Sequence, residues 1–210
     1  MSAAAKEVVV AVTGASGAIY AARLLRALLA LGHGVHLVLS KYGRYLLHEE
    51  LDYRPERESI SEFLLRLYGE EVRNGRLSEY GFNDLACTIA SGSVPVDGMA
   101  VIPCSAKTLS GIAHGASANL IERVADVTLK ERRPLILVPR ETPLNLIQLR
   151  NLTLVAEAGA TILPAMPAFY QKPQTFDDLA DFIAGRVCNL LHIEHDLFRA
   201  WPGARGLGEG

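Results

Sequence analysis

The stretch Val8-Val9-Val10-Ala11-Val12-Thr13-Gly14-Ala15-Ser16-Gly17 decides the fold class of this chain of 210 residues. Its first five residues are apolar and mostly β-branched, which is typical of a strand buried on both faces of a parallel sheet. From Ala18 to Leu31 the residues are strong helix formers, and Gly32 stands where a helix commonly ends. The two glycines therefore lie at a turn from a strand into a helix.

This turn suits a ligand that approaches the backbone closely. Gly14 and Gly17 allow a tight backbone path, and we expect Thr13 or Ser16 to cap the helix. The free N–H groups at such a helix start favour a phosphate. The spacing differs from the G-x-G-x-x-G fingerprint, so the turn does not by itself predict a dinucleotide. An ordinary capped turn without a ligand remains open as an alternative.

Composition excludes several classes of function. The net charge of -2 and the pI near 6.3 give no electrostatic reason to expect nucleic acid or an anionic membrane as a partner. No apolar stretch is long enough to cross a bilayer, and the first residues do not resemble a signal peptide. Cys87, Cys104 and Cys188 are too scattered for a disulfide framework or a zinc site, so we expect a cytoplasmic protein without a metal.

Strand and helix patterns alternate along the rest of the chain, which predicts an α/β fold with one parallel sheet between two layers of helices. The further predicted strands are Val35–Leu39, Gly98–Pro103, Pro134–Pro139 and Ala160–Pro164. No linker or repeat divides the chain, so residues 1–210 are expected to form one domain, with loose ends at about 1–6 and 203–210.

Two regions carry more local predictions. The stretch 52–84 is rich in charge and glycine; it predicts a helix over Ser59–Tyr68 and otherwise an excursion from the sheet. Thr142 with Pro143, and Thr175 with two aspartates in the next turn, are predicted to start the last two helices.

Polar clusters follow the predicted strands repeatedly, at the end where each strand stops. In an open parallel sheet, ligands bind outside the carboxyl ends of the strands, so these clusters should meet in space. They are Thr13 to Gly17, Ser40, Ser105 to Thr108, and Arg140 with Glu141.

Four single residues call for an interpretation of their own. Cys104 is expected to be a buried residue rather than a nucleophile, and Lys107 an exposed lysine beside a helix start. Arg186 falls within an apolar stripe of the last helix, where a buried guanidinium would need an anion. Tyr170 lies in a proline-rich loop that is rigid enough to present its phenol.

Five motifs in order resemble those of the flavin prenyltransferases of the UbiX type, and the likeness extends from Val8 to about Trp201. They are Thr13-Gly-Ala-Ser-Gly-Ala-Ile-Tyr20, Pro103-Cys-Ser-Ala-Lys-Thr-Leu-Ser-Gly111, Ala125-Asp-Val-Thr-Leu-Lys-Glu-Arg-Arg-Pro-Leu135, Val138-Pro-Arg-Glu-Thr-Pro143 and Pro164-Ala-Met-Pro-Ala-Phe-Tyr170.

The resemblance implies a Rossmann-like or flavodoxin-like, doubly wound, three-layer subunit of the flavin-dependent cysteine decarboxylase superfamily, assembled as a homododecamer. Such enzymes move a dimethylallyl group from dimethylallyl phosphate to N5 and C6 of reduced FMN, without a metal. A UbiD-type decarboxylase then receives the prenylated FMN, which links the family to ubiquinone biosynthesis.

The resemblance also implies roles for individual residues. Ser16, Glu50, Lys130 and Glu141 would be catalytic. FMN would be bound by Gly14, Ala15, Ser16, Ser40, Ser105, Ala106, Lys107, Thr108 and Arg140. The donor's phosphate would be bound by Arg123, Lys130, Arg140, Glu141, Tyr170 and Arg186.

Two other functions remain open at this point. Ala116-Ser117-Ala118-Asn119 resembles the substrate-binding segment of the cysteine decarboxylases, so an FMN-dependent decarboxylase acting directly on its substrate is one alternative. A flavin-binding protein without enzymatic activity is the other, although the dense charged cluster favours an enzyme.

Overall fold

The computed structural model of the chain describes residues 4–199. At its centre is a six-stranded parallel sheet in the order β3-β2-β1-β4-β5-β6. The strands are β1 (Glu7–Val12), β2 (Gly34–Leu39), β3 (Arg76–Tyr80), β4 (Gly98–Cys104), β5 (Leu135–Pro139) and β6 (Thr161–Ile162). The α-helices are α1 (Ala18–Ala30), α2 (Lys41–Leu51), α3 (Ile60–Tyr68), α4 (Ala106–Ala113), α5 (Leu120–Lys130), α6 (Leu146–Glu157) and α7 (Phe176–Leu190).

Helices cover both faces of the sheet, which confirms the predicted three-layer, doubly wound architecture. One core packs α1, α3 and α7 against side chains such as Val10 and Leu37. The other packs α4, α5 and α6 against side chains such as Ala11 and Val101. Because β1 and β4 are buried on both faces, their sequences are continuous apolar runs.

The strand order places the expected ligand crevice. The chain winds outward from β1 through β2 to β3, then returns to β4 beside β1 and winds in the opposite direction. This is the order of the Rossmann fold rather than that of flavodoxin. The switch point lies between β1 and β4, where the connections to α1 and α4 leave on opposite faces.

The prediction for 52–84 is partly wrong. The helix is present, with Ser59 and Glu62 forming a capping box, but Arg76–Tyr80 belongs to the sheet as β3. This strand lies at the edge and pairs only with β2, so its residues are exposed or half-buried. An edge strand lacks the apolar run by which the central strands are recognised.

The prediction that Thr142 caps a helix is wrong as well. Helix α6 begins three residues later, where the side chains of Asn145 and Gln148 form a capping box. The side chains of Asn145 and Gln148 each accept a hydrogen bond from the other's backbone amide, so two amides at the helix start gain partners. A proline in the first turn provides no such acceptor. Thr175 caps α7 as expected, with Asp178 completing its capping box.

The predicted loose ends lie mostly outside the described residues, as does Trp201. Lys6 is the last residue of the predicted N-terminal loose end, and its ammonium group donates a hydrogen bond to Leu191 O at 2.7 Å. Within residues 4–199, the helices are all too short or too polar to span a membrane.

Candidate functional site

The carboxyl edge of the sheet brings together four of the predicted clusters. The turn after β1, Ser40 after β2, Ser105 after β4 and Arg140 after β5 each follow a strand of one parallel sheet. Parallel strands end on the same edge, so these residues share the edge at which ligands bind. The predicted convergence of these clusters agrees with the topology.

The start of α1 is capped from another helix, contrary to the expectation for Thr13 or Ser16. The N-cap residue is Gly17, at φ +112°, and no side chain of the turn bonds the helix amides. Instead, Glu50 of α2 accepts hydrogen bonds from Gly17 N at 2.9 Å and Ala18 N at 2.7 Å. A carboxylate therefore lies where the sequence alone suggested a phosphate, because its charge complements the helix amides.

Gly14 permits the close passage of α2 over this turn. A Cβ atom on Gly14 would lie 2.5 Å from Cβ of Tyr42, closer than two carbon atoms approach. Ala15 is buried, whereas Ser16 is exposed at the surface of the turn. Ser16 is thus exposed directly before the two residues whose amides bind the carboxylate of Glu50.

Thr13 joins the turn after β1 to the turn after β4. Its hydroxyl donates to the carbonyl of Pro103 at 2.7 Å and accepts from Ser105 N at 2.7 Å. Ser105 in turn caps α4, with its Oγ 3.3 Å from Thr108 N. Lys107 is exposed in the first turn of α4, as expected.

A cavity of about 700 Å³ opens at the carboxyl ends of β2 and β3. Ser40 lines it and caps α2 by accepting from Gly43 N at 2.9 Å. Lys41 and Arg44 line the same cavity, and Arg44 forms an ion pair with Glu79. Glu79 lines the cavity too and neutralises Arg44, so the group that the cavity offers to an anion is the ammonium of Lys41 at the helix start.

Arg140 follows β5 and is half-buried, and its Nε atom is buried without a hydrogen-bond partner among the described residues. Tyr20 of α1 interacts electrostatically with Arg140. Burial raises the pKa of the Tyr20 phenol, and the positive charge of Arg140 opposes this increase. A buried donor without a partner is costly, so the geometry calls for an acceptor from a ligand.

Cys104 ends β4, directly before Ser105, and is 2% exposed. Burial raises the pKa of Cys104 to about 12, so this thiol stays protonated, as expected for a packing residue. Within residues 4–199, no three His, Cys, Asp or Glu side chains are grouped as metal ligands.

Lys130 lies away from Arg140 within one chain. It ends α5 and pairs with Glu131 at 3.5 Å, and Arg133 nearby donates to Gly92 O at 2.8 Å, ahead of β4. These contacts place it at the amino edge of the sheet, whereas Arg140 follows the carboxyl end of β5. Five residues of strand separate the two edges by about 16 Å.

Arg123 belongs to the first turn of α5, whose first amide, that of Leu120, donates to Phe82 O just beyond the end of β3. It is half-buried on α5, and its Nε donates to Ala90 O at 3.1 Å. Glu141 follows Arg140 directly, is exposed, and accepts from Thr142 N at 3.1 Å.

Tyr170 lies in the loop before α7, and Arg186 lies on α7 itself. The Tyr170 ring meets the Phe182 ring edge-on at 6.2 Å, and Arg186 lies one helical turn beyond Phe182. The expectation of a buried guanidinium is wrong, because Arg186 is exposed. The buried face of α7 carries Ala180, Ile183, Ala184, Val187 and Cys188, and position 186 projects from another side.

Several residues of the site were missed from the sequence. Tyr20 looked like one more apolar helix residue, and nothing local indicated its proximity to Arg140. Lys41 and Arg44 could have been recognised from the sequence. Cations are unfavourable in the first turn of a helix, so two of them directly after the capping Ser40 indicate an anion nearby.

Comparison with known proteins places the chain in a family. Residues 2–188 match the family model Flavoprotein. The flavin prenyltransferase UbiX of Halalkalibacterium halodurans is 48% identical over 197 residues, which cover 93% of each chain.

Two solved structures are similar along almost their whole length. AnUbiX, crystallised with FMN and dimethylallyl pyrophosphate, is 42% identical with a TM-score of 0.85, covering 95% of this chain and 99% of that one. A dodecameric FMN-dependent UbiX-like decarboxylase from Escherichia coli O157:H7 is 38% identical with a TM-score of 0.82, covering 94% and 100%. The chain therefore belongs to the UbiX family of flavin prenyltransferases.

Proposed function

We propose that this protein is a flavin prenyltransferase that transfers the dimethylallyl group of dimethylallyl phosphate to N5 and C6 of reduced FMN. The observation that carries the proposal is the buried Nε of Arg140, which has no hydrogen-bond partner among the described residues and lies at the same edge of the sheet as the turns of Ser16 and Ser105. Membership of the UbiX family supports this choice of reaction.

The residues at the carboxyl edge fit FMN. The proposed contacts are Gly14, Ala15, Ser16, Ser40, Ser105, Ala106, Lys107, Thr108 and Arg140. Gly14 and Gly17 bring backbone close to the crevice, the three serines supply hydroxyl groups, and Arg140 supplies an unused donor. Bound reduced FMN supplies the nucleophilic atoms, so the protein needs no nucleophile of its own.

The cationic residues are proposed to stabilise the leaving phosphate. Negative charge grows on the phosphate as the allylic C–O bond breaks, and fixed guanidinium and ammonium groups lower the energy of that transition state. Glu141 is proposed to donate a proton to a phosphate oxygen. The phosphate site would comprise Arg123, Lys130, Arg140, Glu141, Tyr170 and Arg186.

Ser16 and Glu50 are proposed to move protons at the flavin. Ser16 is exposed on the turn, and Glu50 lies beside it through the bonds to Gly17 and Ala18. A carboxylate held in place by two amides is a suitable proton acceptor during ring closure, because it needs no rearrangement before it acts.

A shared site in a homo-oligomer reconciles these roles with the separation of the residues. Arg140 follows β5, Lys130 ends α5 and Arg186 lies on the exposed side of α7, so neighbouring subunits would have to contribute residues to one site. Exposed apolar side chains support association, among them Leu146 and Ile147 on α6, which are 59% and 69% exposed. The dodecamer described for the Escherichia coli relative makes a dodecamer the proposed assembly.

We also propose that a UbiD-type decarboxylase receives the prenylated FMN, which places the reaction in ubiquinone biosynthesis and related decarboxylations. The proposal rests on family membership. Three free cysteines agree with a reducing compartment and so with a cytoplasmic enzyme.

The decisive experiment incubates the purified protein anaerobically with reduced FMN and dimethylallyl phosphate, then measures the mass of the extracted flavin. We expect a gain of one dimethylallyl unit, dependent on both reactants. FMN that is bound but never alkylated would overturn the proposal and favour a flavin-binding protein.

Direct decarboxylation is the second candidate, because the Escherichia coli relative is described as a decarboxylase. The segment that resembles the cysteine decarboxylases argues against it. Asn119 is 5% exposed, and its side-chain oxygen caps α5 by accepting from Glu122 N at 3.1 Å. Release of carbon dioxide from an aromatic acid by this protein alone would favour the second candidate.

Variants test the proposed roles. Glu141→Gln and Lys130→Ala should keep FMN binding and lose prenyl transfer, whereas the exposed loop residues Glu56→Gln and Arg57→Ala should change neither. Unchanged turnover in both site variants would contradict their roles.

A mixed oligomer tests the shared site. Lys130→Ala and Arg140→Ala subunits are each inactive alone, and co-assembly of the two should restore about a quarter of the sites, since each intact site draws one native residue from each kind of subunit. No recovery in verified mixed oligomers would contradict sharing between subunits.

A further inference from the structure

Thr13 occupies a position that the proposed chemistry leaves unexplained. It is 1% exposed, and its hydroxyl forms two hydrogen bonds of 2.7 Å. The carbonyl of Pro103 can only accept and the amide of Ser105 can only donate, so the hydroxyl donates to the first and accepts from the second. Both bonds reach residues ninety or more positions away in sequence.

These two hydrogen bonds lie beyond the point at which β1 and β4 stop pairing. The ladder between β1 and β4 ends at the pair Ala11 and Val101. Beyond it, one turn leads to α1 on one face and the other leads to α4 on the opposite face. Within residues 4–199, every hydrogen bond between the two turns involves Thr13.

The bond to Ser105 also provides a hydrogen-bond acceptor for a backbone amide at the start of α4. As the N-cap residue, Ser105 has a backbone N–H that the helix leaves unpaired. Its own Oγ is engaged with Thr108, accepting from the amide at 3.3 Å and donating to the hydroxyl at 3.1 Å. Thr13 therefore fixes the backbone at the residue from which the α4 cap is built.

We propose that Thr13 is a positioning residue that sets the width of the crevice between Ser16 and Ser105 and thereby the affinity for FMN. It acts through Ser105, because both the donor and one acceptor site of its hydroxyl are taken by the protein. The inference rests on the proposed function only for the place of FMN in this crevice.

The test compares Thr13→Val, which keeps the shape and removes the hydroxyl, with Thr13→Ser, which keeps the hydroxyl. The valine leaves Ser105 N unpaired and leaves Pro103 O only the 3.3 Å bond from Thr13 N. We expect the FMN dissociation constant of Thr13→Val to rise about tenfold, which is within the range by which a change outside a binding site alters affinity. Thr13→Ser should stay within about threefold of the native value.

Thr128→Val is the matched control. Thr128 is 0% exposed, and its hydroxyl donates to Val124 O at 2.7 Å within α5, away from the crevice. Both valine variants should lower the melting temperature, but only Thr13→Val should weaken FMN binding and alter the absorption spectrum of the bound flavin.

Three results would overturn the inference: native FMN affinity in Thr13→Val, equal weakening in Thr128→Val, or equal weakening in Thr13→Ser. If Thr13→Val does not fold, Thr13→Ala takes its place with the same threshold. A native protein that binds FMN without forming a prenyl adduct would contradict the proposed reaction, and the binding comparison at Thr13 would still be decided.

Discussion

The carboxylate of Glu50 accepts a hydrogen bond from the amide of Ala18 at 2.7 Å, so α2 supplies the cap of α1. The same carboxylate accepts a second hydrogen bond from Gly17 N at 2.9 Å, so it binds two amides at the start of α1. The residue proposed to move protons at the flavin is thus also part of the scaffold that holds the Ser16 turn.

These two roles of Glu50 are separable by substitution. Glu50→Ala should lower the free energy of unfolding by about 1 kcal/mol, because two helix amides lose their acceptor. Glu50→Gln keeps an acceptor oxygen and most of the stability, but it should lower the yield of prenylated flavin. Urea denaturation and flavin mass measure the two effects. The neighbouring Glu49→Ala should change stability by less than about 0.5 kcal/mol, and an equal loss at both positions would contradict the cap.

Gly14→Ala should destabilise the protein by about 1 to 3 kcal/mol and weaken FMN binding, because the added methyl meets Tyr42 Cβ at 2.5 Å. The backbone has to shift at the turn that faces the crevice. Gly81→Ala is the comparison, since a methyl there lies 3.6 Å from Asp84 Cβ, an ordinary contact. Unfolding curves and FMN titrations of the two variants measure the effect. Similar curves for Gly14→Ala and Gly81→Ala would contradict the prediction, because they would show that α2 shifts away from the added methyl without loss of stability.

Cys104→Ala should retain prenyl transfer. Burial raises the pKa of Cys104 to about 12 and that of Cys188 to about 12, so both thiols are protonated at pH 8. A protonated, buried thiol is not a nucleophile, and iodoacetamide should leave both unmodified in the native protein and modify them in urea. Peptide mass spectrometry measures the labelling; rapid native labelling of Cys104 would contradict its assignment as a packing residue.

Ile147→Glu should dissociate the proposed oligomer into smaller species and reduce activity. Ile147 is 69% exposed on α6, so a charge there is harmless to a monomer and costly inside an interface. Leu31→Glu, at an exposed leucine that ends α1, is the control and should leave the assembly unchanged. Light scattering on a sizing column gives the masses, and a native mass for Ile147→Glu would place the interface elsewhere.

The central strands and their turns were predictable because their signals are local. Val8–Val12 is apolar throughout since both faces of β1 are covered, and the change of period after Gly17 marks the start of α1. β3 was not predictable, because an edge strand buries too little surface to impose an apolar pattern on its sequence. The start of α6 was misplaced for another local reason: Asn145 with Gln148 outweighed Thr142 with Pro143.

The sequence by itself determined the class of fold, the edge of the sheet at which Ser16, Ser105 and Arg140 meet, and the family. The tertiary structure alone decided the partners of that edge: Glu50 on the amides of α1, Thr13 between two turns, and an unpaired Nε on Arg140. It also placed Lys130 at the opposite edge of the sheet and Arg186 on the exposed side of α7. Strand and helix periods depend on neighbours a few residues away, whereas caps, bridges and unpaired donors depend on atoms brought together by packing across long stretches of chain.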